Sequence, residues 1–436
     1  MKIYSKILRI LLFLVVFTVP LGQLGKLPFV DPTIGLYFSD LFLGLFIIVT
    51  AFFLLVVDRR LKINLPIILA FIFAGWALVT LLLGGQGLPV PQLLVSFFYW
   101  VRLVAIFLFF WIIYTLKQTH PEVIKNLEWW LIGSGVLLAA AGFVQLIAFP
   151  DFGKLHPALG WDPHYYRLNS TFFDPNFTGG YLVLCVSLLL RVVNKFREEK
   201  NKQQITKNAQ LRFAINFRGG NCNKSIAVCY LLFVILLIAI FLTFSRSAWL
   251  MLAILVFIYG AFKVRWLLFV ALVIIFGAYF AVPRVQTRLA GITDPADSAS
   301  FRLQSWQQGL QLSSKNLITG VGFNTLRYAK DASEFYDYRE AAGVHSGAGF
   351  DSSILVVLAT TGIPGLLLFL GFLGSCLIGM ISRIGKIGTI GAESFLVNLS
   401  VIGALLALLI ESNFVNSLFY APIMVLEFAI LGLCVD

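Results

Sequence analysis

Three arginines stand at the ends of strongly apolar segments: Arg167 in RLNSTFFDPNFTGG, Arg246 in TFSRSAW and Arg302 in FRLQSW. In a chain that is 59% hydrophobic, charge at the mouth of an apolar segment is costly unless something there holds it. An anion is the natural partner. A guanidinium suits a diphosphate better than an ammonium does, because its planar fork makes two parallel charge-assisted bonds. Two of the three also have a plainer role. Arg246, in a turn of a few residues, can snorkel to lipid headgroups, and Arg302, four residues before Trp306, can lie on a solvated face. Asp174-Pro175-Asn176 reads as a helix start, with Asp as N-cap and Pro at the first helical position. Free N–H groups at such a start, beside Arg167, also make an anion site.

A proton acceptor is available in GVHSGAGFDSSIL, where His345 and Asp351 flank a glycine-rich turn. Asp351 sits where the chain re-enters an apolar run, so it is either an N-cap with Ser352 and Ser353 opening the helix or a general base toward a sugar hydroxyl. His156 and His164, with Asp151 and Asp162, fit no metal-site spacing. Asp294 and Asp297 form a single weak DxxD pair, and Walker, Rossmann and Gly-x-Ser-x-Gly patterns are missing. No metal and no cofactor is expected.

The elements that must position these residues are apolar helices. Of the 436 residues only 12% are charged, too few for a water-soluble domain of this size. Twelve apolar runs approach the roughly 20 residues that a bilayer requires: 7–24, 34–57, 63–83, 93–116, 127–149, 177–193, 226–244, 247–262, 266–282, 352–378, 395–412 and 416–434. The runs are continuously apolar rather than alternating, which excludes barrel strands. The expectation is an all-α, polytopic membrane helix bundle of about 12 transmembrane helices. Its N-terminus resembles a secretory signal without a clear cleavage site and reads as an uncleaved first helix.

The net charge of +12 reports orientation rather than a nucleic-acid partner. With the N-terminus in the cytoplasm, 21 of the 33 Lys and Arg residues fall at cytoplasmic ends and loops, while the short outer loops carry only Lys26, Lys154, Arg167 and Arg246. That asymmetry predicts a multi-pass protein of the cytoplasmic membrane with both termini cytoplasmic. None of the five cysteines lies in an outer loop, so no disulfide framework is implied.

Two loops matter. Residues 191–225 are basic and Asn/Gln-rich, a solvated linker near anionic lipid. Residues 283–351 form a long outer loop between helices 9 and 10 with seven basic and seven acidic residues, suited to a folded lid. Within it, Phe301, Trp306 and Leu310 recur at helical spacing and predict a short amphipathic helix on the membrane boundary. Arg102, inside the fourth apolar run, needs a buried carboxylate. Depth along the runs points to Glu427, with Asp40 as the alternative.

Taken in order, the motifs form a pattern: an arginine before D-P-N, then S-R-x-x-W, R-x-x-x-W, G-V-G-F-N, and a polar residue leading L-x-x-L-x-x-x-G-I-P-G. This order resembles the O-antigen ligase and O-antigen polymerase family, over about residues 160–435. The resemblance divides the chain into N-terminal helices, 1–160, and a ligase/polymerase-like membrane domain, 161–436. It implies a helical, GT-C-like, metal-independent glycosyltransferase that takes glycan from an undecaprenyl-diphosphate carrier at the outer face of the cytoplasmic membrane. The acceptor would be lipid A-core in a ligase or another carrier-linked glycan in a polymerase. It implies Arg167, Arg246 and Arg302 as diphosphate ligands, Asp351 or His345 as base, and Asp174, Asn176, Trp306 and Asn324 as supporting residues. Ligases usually carry His where this chain has Asp351, four residues before Leu355. A transporter or flippase of a polyanionic lipid-linked glycan would also place arginines at a central cavity, but it predicts internal repeats that the sequence does not show.

Overall fold

Every one of the twelve apolar runs contains a helix in the computed structural model, which describes residues 2–28, 35–154, 164–209, 219–291, 298–332, 349–385 and 391–435. The helices are α1 (Lys2–Thr18), α2 (Phe38–Phe52), α3 (Leu65–Gly84), α4 (Val90–Thr119), α5 (Leu127–Ala148), α6 (Pro175–Ala209), α7 (Gly219–Leu242), α8 (Arg246–Phe262), α9 (Arg265–Ala281), α13 (Ser353–Gly385), α14 (Gly391–Glu411) and α15 (Ala421–Cys434). Three more lie between α9 and α13: α10 (Pro283–Ala290), α11 (Ser298–Lys315) and α12 (Leu326–Ala332). Among the described residues there is no strand, only two isolated bridges, Lys26–Tyr37 and Asp151–Tyr165.

Among the described residues, seven helices are long and apolar enough to cross a membrane. The unit formed by α9 and α10 passes the same test but is bent by 98°. The four other apolar helices, Ile226–Leu242, Arg246–Phe262, Val397–Glu411 and Ala421–Cys434, are shorter. The bundle is built around α6. Its membrane-length stretch is 83% buried, against at most 44% in the other six long helices, and it packs along α7, α8 and α14. α15 is buried without interruption from Ile423 to Cys434. By contrast α9 buries no residue, so it lies at the periphery.

Two sequence motifs prove to be one structural joint. Pro364 interrupts α13, and Gly362 there adopts φ +69°. Proline has no N–H to give the Thr360 carbonyl, and the Ile363 N–H turns away to the Leu317 carbonyl at 2.8 Å. The two freed acceptors are taken by the glycine turn 320–324. Val321 N–H donates to the Ala359 carbonyl at 2.8 Å, and Gly322 N–H to Thr360 at 3.1 Å. Backbone groups inside an apolar bundle must all find partners, and here G-V-G-F-N supplies those that G-I-P-G removes. Trp76 Nε1 adds a bond to the Thr361 carbonyl at 2.8 Å.

α11 forms where expected, but a different face packs. Leu310 is exposed, whereas Gly309, Leu312 and Ser313 are buried, with Arg302, Ser305 and Trp306 half-buried on the same side. A side chain at Gly309 would meet Leu355 at 2.3 Å, so the absence of a Cβ lets α11 sit directly on α13. Trp306 therefore faces inward as the spacing suggested, Leu310 does not, and Gly309 and Leu312 complete the inner face. Phe301 shares neither description, its side chain lying outside the described set.

Arg102 pairs with Asp40, the alternative partner, and not with Glu427. Its Nη2 lies 2.6 Å from Asp40 Oδ2 and its Nε 3.0 Å from Oδ1, with the Gly35 carbonyl as a further acceptor. A long arginine stem snorkels toward the end of the bundle, and Asp40 waits there in the first turn of α2. Glu427 stays buried, with no hydrogen bond to Oε2. Removing either member of a buried pair strands the other, at a cost of about 3–5 kcal/mol. Asp40→Ala and Arg102→Ala should each lower the unfolding midpoint in detergent, and the double variant should lose much less than the sum. Additive losses would show that the pair is not a unit.

Candidate anion-binding site

Two loops, 164–174 and 243–245, meet at one end of α6 and carry four non-glycine residues at positive φ: Tyr166 (50°), Ser170 (52°), Phe173 (60°) and Phe244 (47°). Such backbone is costly and persists where surroundings over-determine it, commonly around functional sites. Arg167 is one cause. It is 8% exposed, its Nε donates to the Thr243 carbonyl at 2.8 Å and its Nη2 to Phe244 at 3.2 Å. Nη1 lies 3.4 Å from His164 Nδ1. The buried arginine thus locks the two loops together.

Arg246 begins α8 directly after this lock. Ser245 is the N-cap, its Oγ accepting from Ala248 N–H, and it donates at 2.6 Å to Asn176 Oδ1 at the start of α6. Arg246 Nη1 donates to the Arg288 carbonyl of α10 at 3.2 Å. Asp174 caps α6 as the sequence suggested, with Oδ1 accepting from Asn176 N–H at 2.6 Å and Phe177 N–H at 3.1 Å. Arg302 comes from the inner face of α11, close enough for its charge to act on Arg167, Asp174 and Glu411. Trp306, one turn on, donates Nε1 to the Asn413 carbonyl at 3.1 Å and anchors α11 to the end of α14.

The charges report on one another. Burial, then Arg288, Arg284 and Arg302, pushes the Arg167 guanidinium down to about 9, with Asp174 opposing. Burial raises the Asp174 carboxyl above the usual carboxylate value, against its two backbone donors and Arg167. The structure therefore brings Arg167, Arg246 and Arg302 to one region, together with two arginines that sequence reading did not single out, Arg284 and Arg288. It adds Glu411, a fully buried carboxylate whose oxygens accept no well-formed hydrogen bond, although the Ser247 and Ser417 hydroxyls stand beside it. The signal for the arginines was their i, i+4 spacing in PRVQTR. Glu411 carried a signal too, an acid closing an apolar run.

Asp351 is exposed and is not the helix cap. Ser352 takes that role, its Oγ accepting from Leu355 N–H at 3.2 Å, because Ser353 is pinned by Ser412 and Asn416. The Asp351 N–H donates to Ser305 Oγ at 3.3 Å, which places it one turn from Arg302. Asn324 belongs to the α13 joint, where its carbonyl accepts from Ser96 at 3.0 Å. His345, His156, Asp162, Asp294 and Asp297 lie outside the described residues. Among the described residues, no group of three or more His, Cys, Asp or Glu side chains could hold a metal ion.

The described helices thus form an apolar, membrane-capable bundle with a cluster of buried and half-buried arginines at one end. Residues 231–370 match the family model described as O-antigen ligase, a stretch that contains Arg246, Arg302, Asp351 and both halves of the α13 joint. That match covers about a third of the chain and supports an O-antigen ligase/polymerase family, with a glycan-transfer role in surface polysaccharide biosynthesis. No curated protein matches the chain.

Proposed function

We propose that this protein transfers or polymerises glycan from an undecaprenyl-diphosphate carrier at the outer face of the cytoplasmic membrane. The observation that supports the reading is the clustering of Arg167, Arg246 and Arg302, from three separate segments, at one end of the bundle. Positive charge set around the leaving diphosphate stabilises its departure, since that group already has a low proton affinity. The acceptor hydroxyl needs a fixed position opposite the leaving group and a base, for which Asp351, or His345, is the proposed residue. Direct displacement inverts the anomeric centre. The clustered arginines all fall beyond residue 160, which supports 161–436 as the transferring unit.

The test is turnover of an undecaprenyl-diphosphate-linked glycan by purified protein in lipid vesicles. Ligation to lipid A-core identifies a ligase, a lengthened carrier-linked chain identifies a polymerase, and movement of intact substrate would instead identify a flippase. Because Ser352 caps α13, Asp351→Asn leaves the fold untouched and isolates the carboxylate. We expect that variant to lose at least about 100-fold in turnover; unchanged turnover removes Asp351 from the chemistry. For orientation, a cysteine placed at Lys315 should react with an impermeant reagent in intact cells, and reaction only after membrane rupture would reverse the topology.

A further inference from the structure

We propose that Tyr165 and Tyr166 form a sugar-binding shelf beside the arginine cluster, taking the pyranose attached to the diphosphate. The inference rests on the reading of the pocket as a glycan-diphosphate site and deepens it by naming the residues that touch the glycan.

Both tyrosines are exposed, at 52% and 63%, and they directly precede Arg167. Their main chain is held more firmly than a surface loop requires. Tyr166 N–H donates to the Pro150 carbonyl at 2.8 Å, and Phe152 N–H to the His164 carbonyl at 3.0 Å, pairing 150–152 with 164–166. Arg284 then spends its guanidinium on this turn, donating from Nη1 to the Tyr166 carbonyl and from Nη2 to the Tyr165 carbonyl. Its own plane lies 4.3 Å from the centre of the Phe244 ring, the residue whose carbonyl Arg167 holds. Tyr166 is thereby kept at φ 50°, a conformation a bulky residue adopts only under constraint. Gly153 completes the arrangement, since a Cβ there would lie 2.6 Å from the Tyr165 hydroxyl oxygen.

A tyrosine that merely marks the membrane boundary needs no fixed backbone. Two exposed aromatic side chains on a fixed main chain next to the arginine cluster suit a ring that presents C–H groups on its faces and hydroxyls at its rim, which is a pyranose. Arg284 is the positioning residue. It joins the shelf to Phe244 and so to the loop that Arg167 holds.

Binding of two probes to the purified protein tests this: farnesyl diphosphate, and a panel of farnesyl-diphospho-sugars carrying a hexose, an N-acetylhexosamine or a 6-deoxyhexose. The unaltered protein should bind at least one sugar compound about three- to tenfold more tightly than the bare diphosphate. Tyr165→Leu/Tyr166→Leu should lose that increment while binding farnesyl diphosphate unchanged. Arg284→Lys, which keeps the charge but not the fork, should lose the increment as well. The shelf is overturned if no sugar strengthens binding, if the tyrosine variant keeps the increment, or if it loses both probes equally. If the unaltered protein binds neither probe, the diphosphate reading falls, and the shelf falls with it.

Discussion

Arg167→Lys is expected to cut glycan transfer by at least about 100-fold although the positive charge survives. The guanidinium does two jobs at once. It bonds the Thr243 and Phe244 carbonyls through separate nitrogens while adding charge to the arginine cluster, and an ammonium on a flexible stem cannot satisfy both carbonyls in that geometry. Lysine therefore loosens the 243–245 turn and with it the placement of Arg246. The same residue gives a ligand-linked stability effect. Its value in the folded protein, about 9, lies well below that of a free guanidinium, so above about 9 the unfolded chain binds more protons and stability rises with pH until the free group also titrates. At neutral pH the fold carries the full cost of a crowded, buried cation, and a bound anion offsets it. Pyrophosphate should accordingly raise the thermal midpoint of the protein at pH 7, less so at high salt, and should do little for Arg167→Ala. Equal stabilisation of both proteins, or near-normal turnover in Arg167→Lys, would remove Arg167 from the anion site.

The contrast between what residues announce singly and what they do together explains which parts were legible beforehand. The helices could be read because a bilayer leaves a chain no alternative to long apolar runs, and Arg167, Arg246 and Arg302 stood out against them. Arg284 and Arg288 did not stand out, since they fall in a segment whose basic and acidic residues balance. Partner choice was harder. Asp351 and Ser352 are both good N-caps by type, and Ser352 caps because Ser353 docks on Ser412 and Asn416, a contact sixty residues away in the chain. Arg102 could be seen to need a carboxylate, but the reach of its side chain toward the bundle end selected Asp40 over Glu427. For α11 the apolar spacing suggested a face containing Leu310, whereas close approach to Leu355 turned Gly309 inward. In each case the sequence states a requirement and tertiary packing chooses who meets it.

The joint in α13 shows the same logic with the largest structural consequence. Gly362→Ala should destabilise the protein by about 3–5 kcal/mol. The residue sits at φ +69°, and a Cβ would lie 2.2 Å from the Ile318 carbonyl oxygen. Neither strain can relax alone, because moving the turn away breaks the Val321 and Gly322 bonds to the Ala359 and Thr360 carbonyls, which have no other donors once Pro364 is in place. Gly320→Ala should behave alike, with φ +62° and a Cβ 2.5 Å from the Ala359 oxygen. The damage should reach the pocket as well, since α11 rests on Leu355 in the first turn of the same broken helix and carries Arg302. Unfolding in mild detergent and turnover, measured on both glycine variants, test the two claims separately. A control replaces Gly371, where a Cβ meets nothing within 4 Å, and should be close to neutral. If Gly362→Ala unfolds no earlier than Gly371→Ala, the paired backbone is not what holds the break in α13. If it unfolds earlier yet turns over normally when folded, α11 does not depend on the joint to place Arg302.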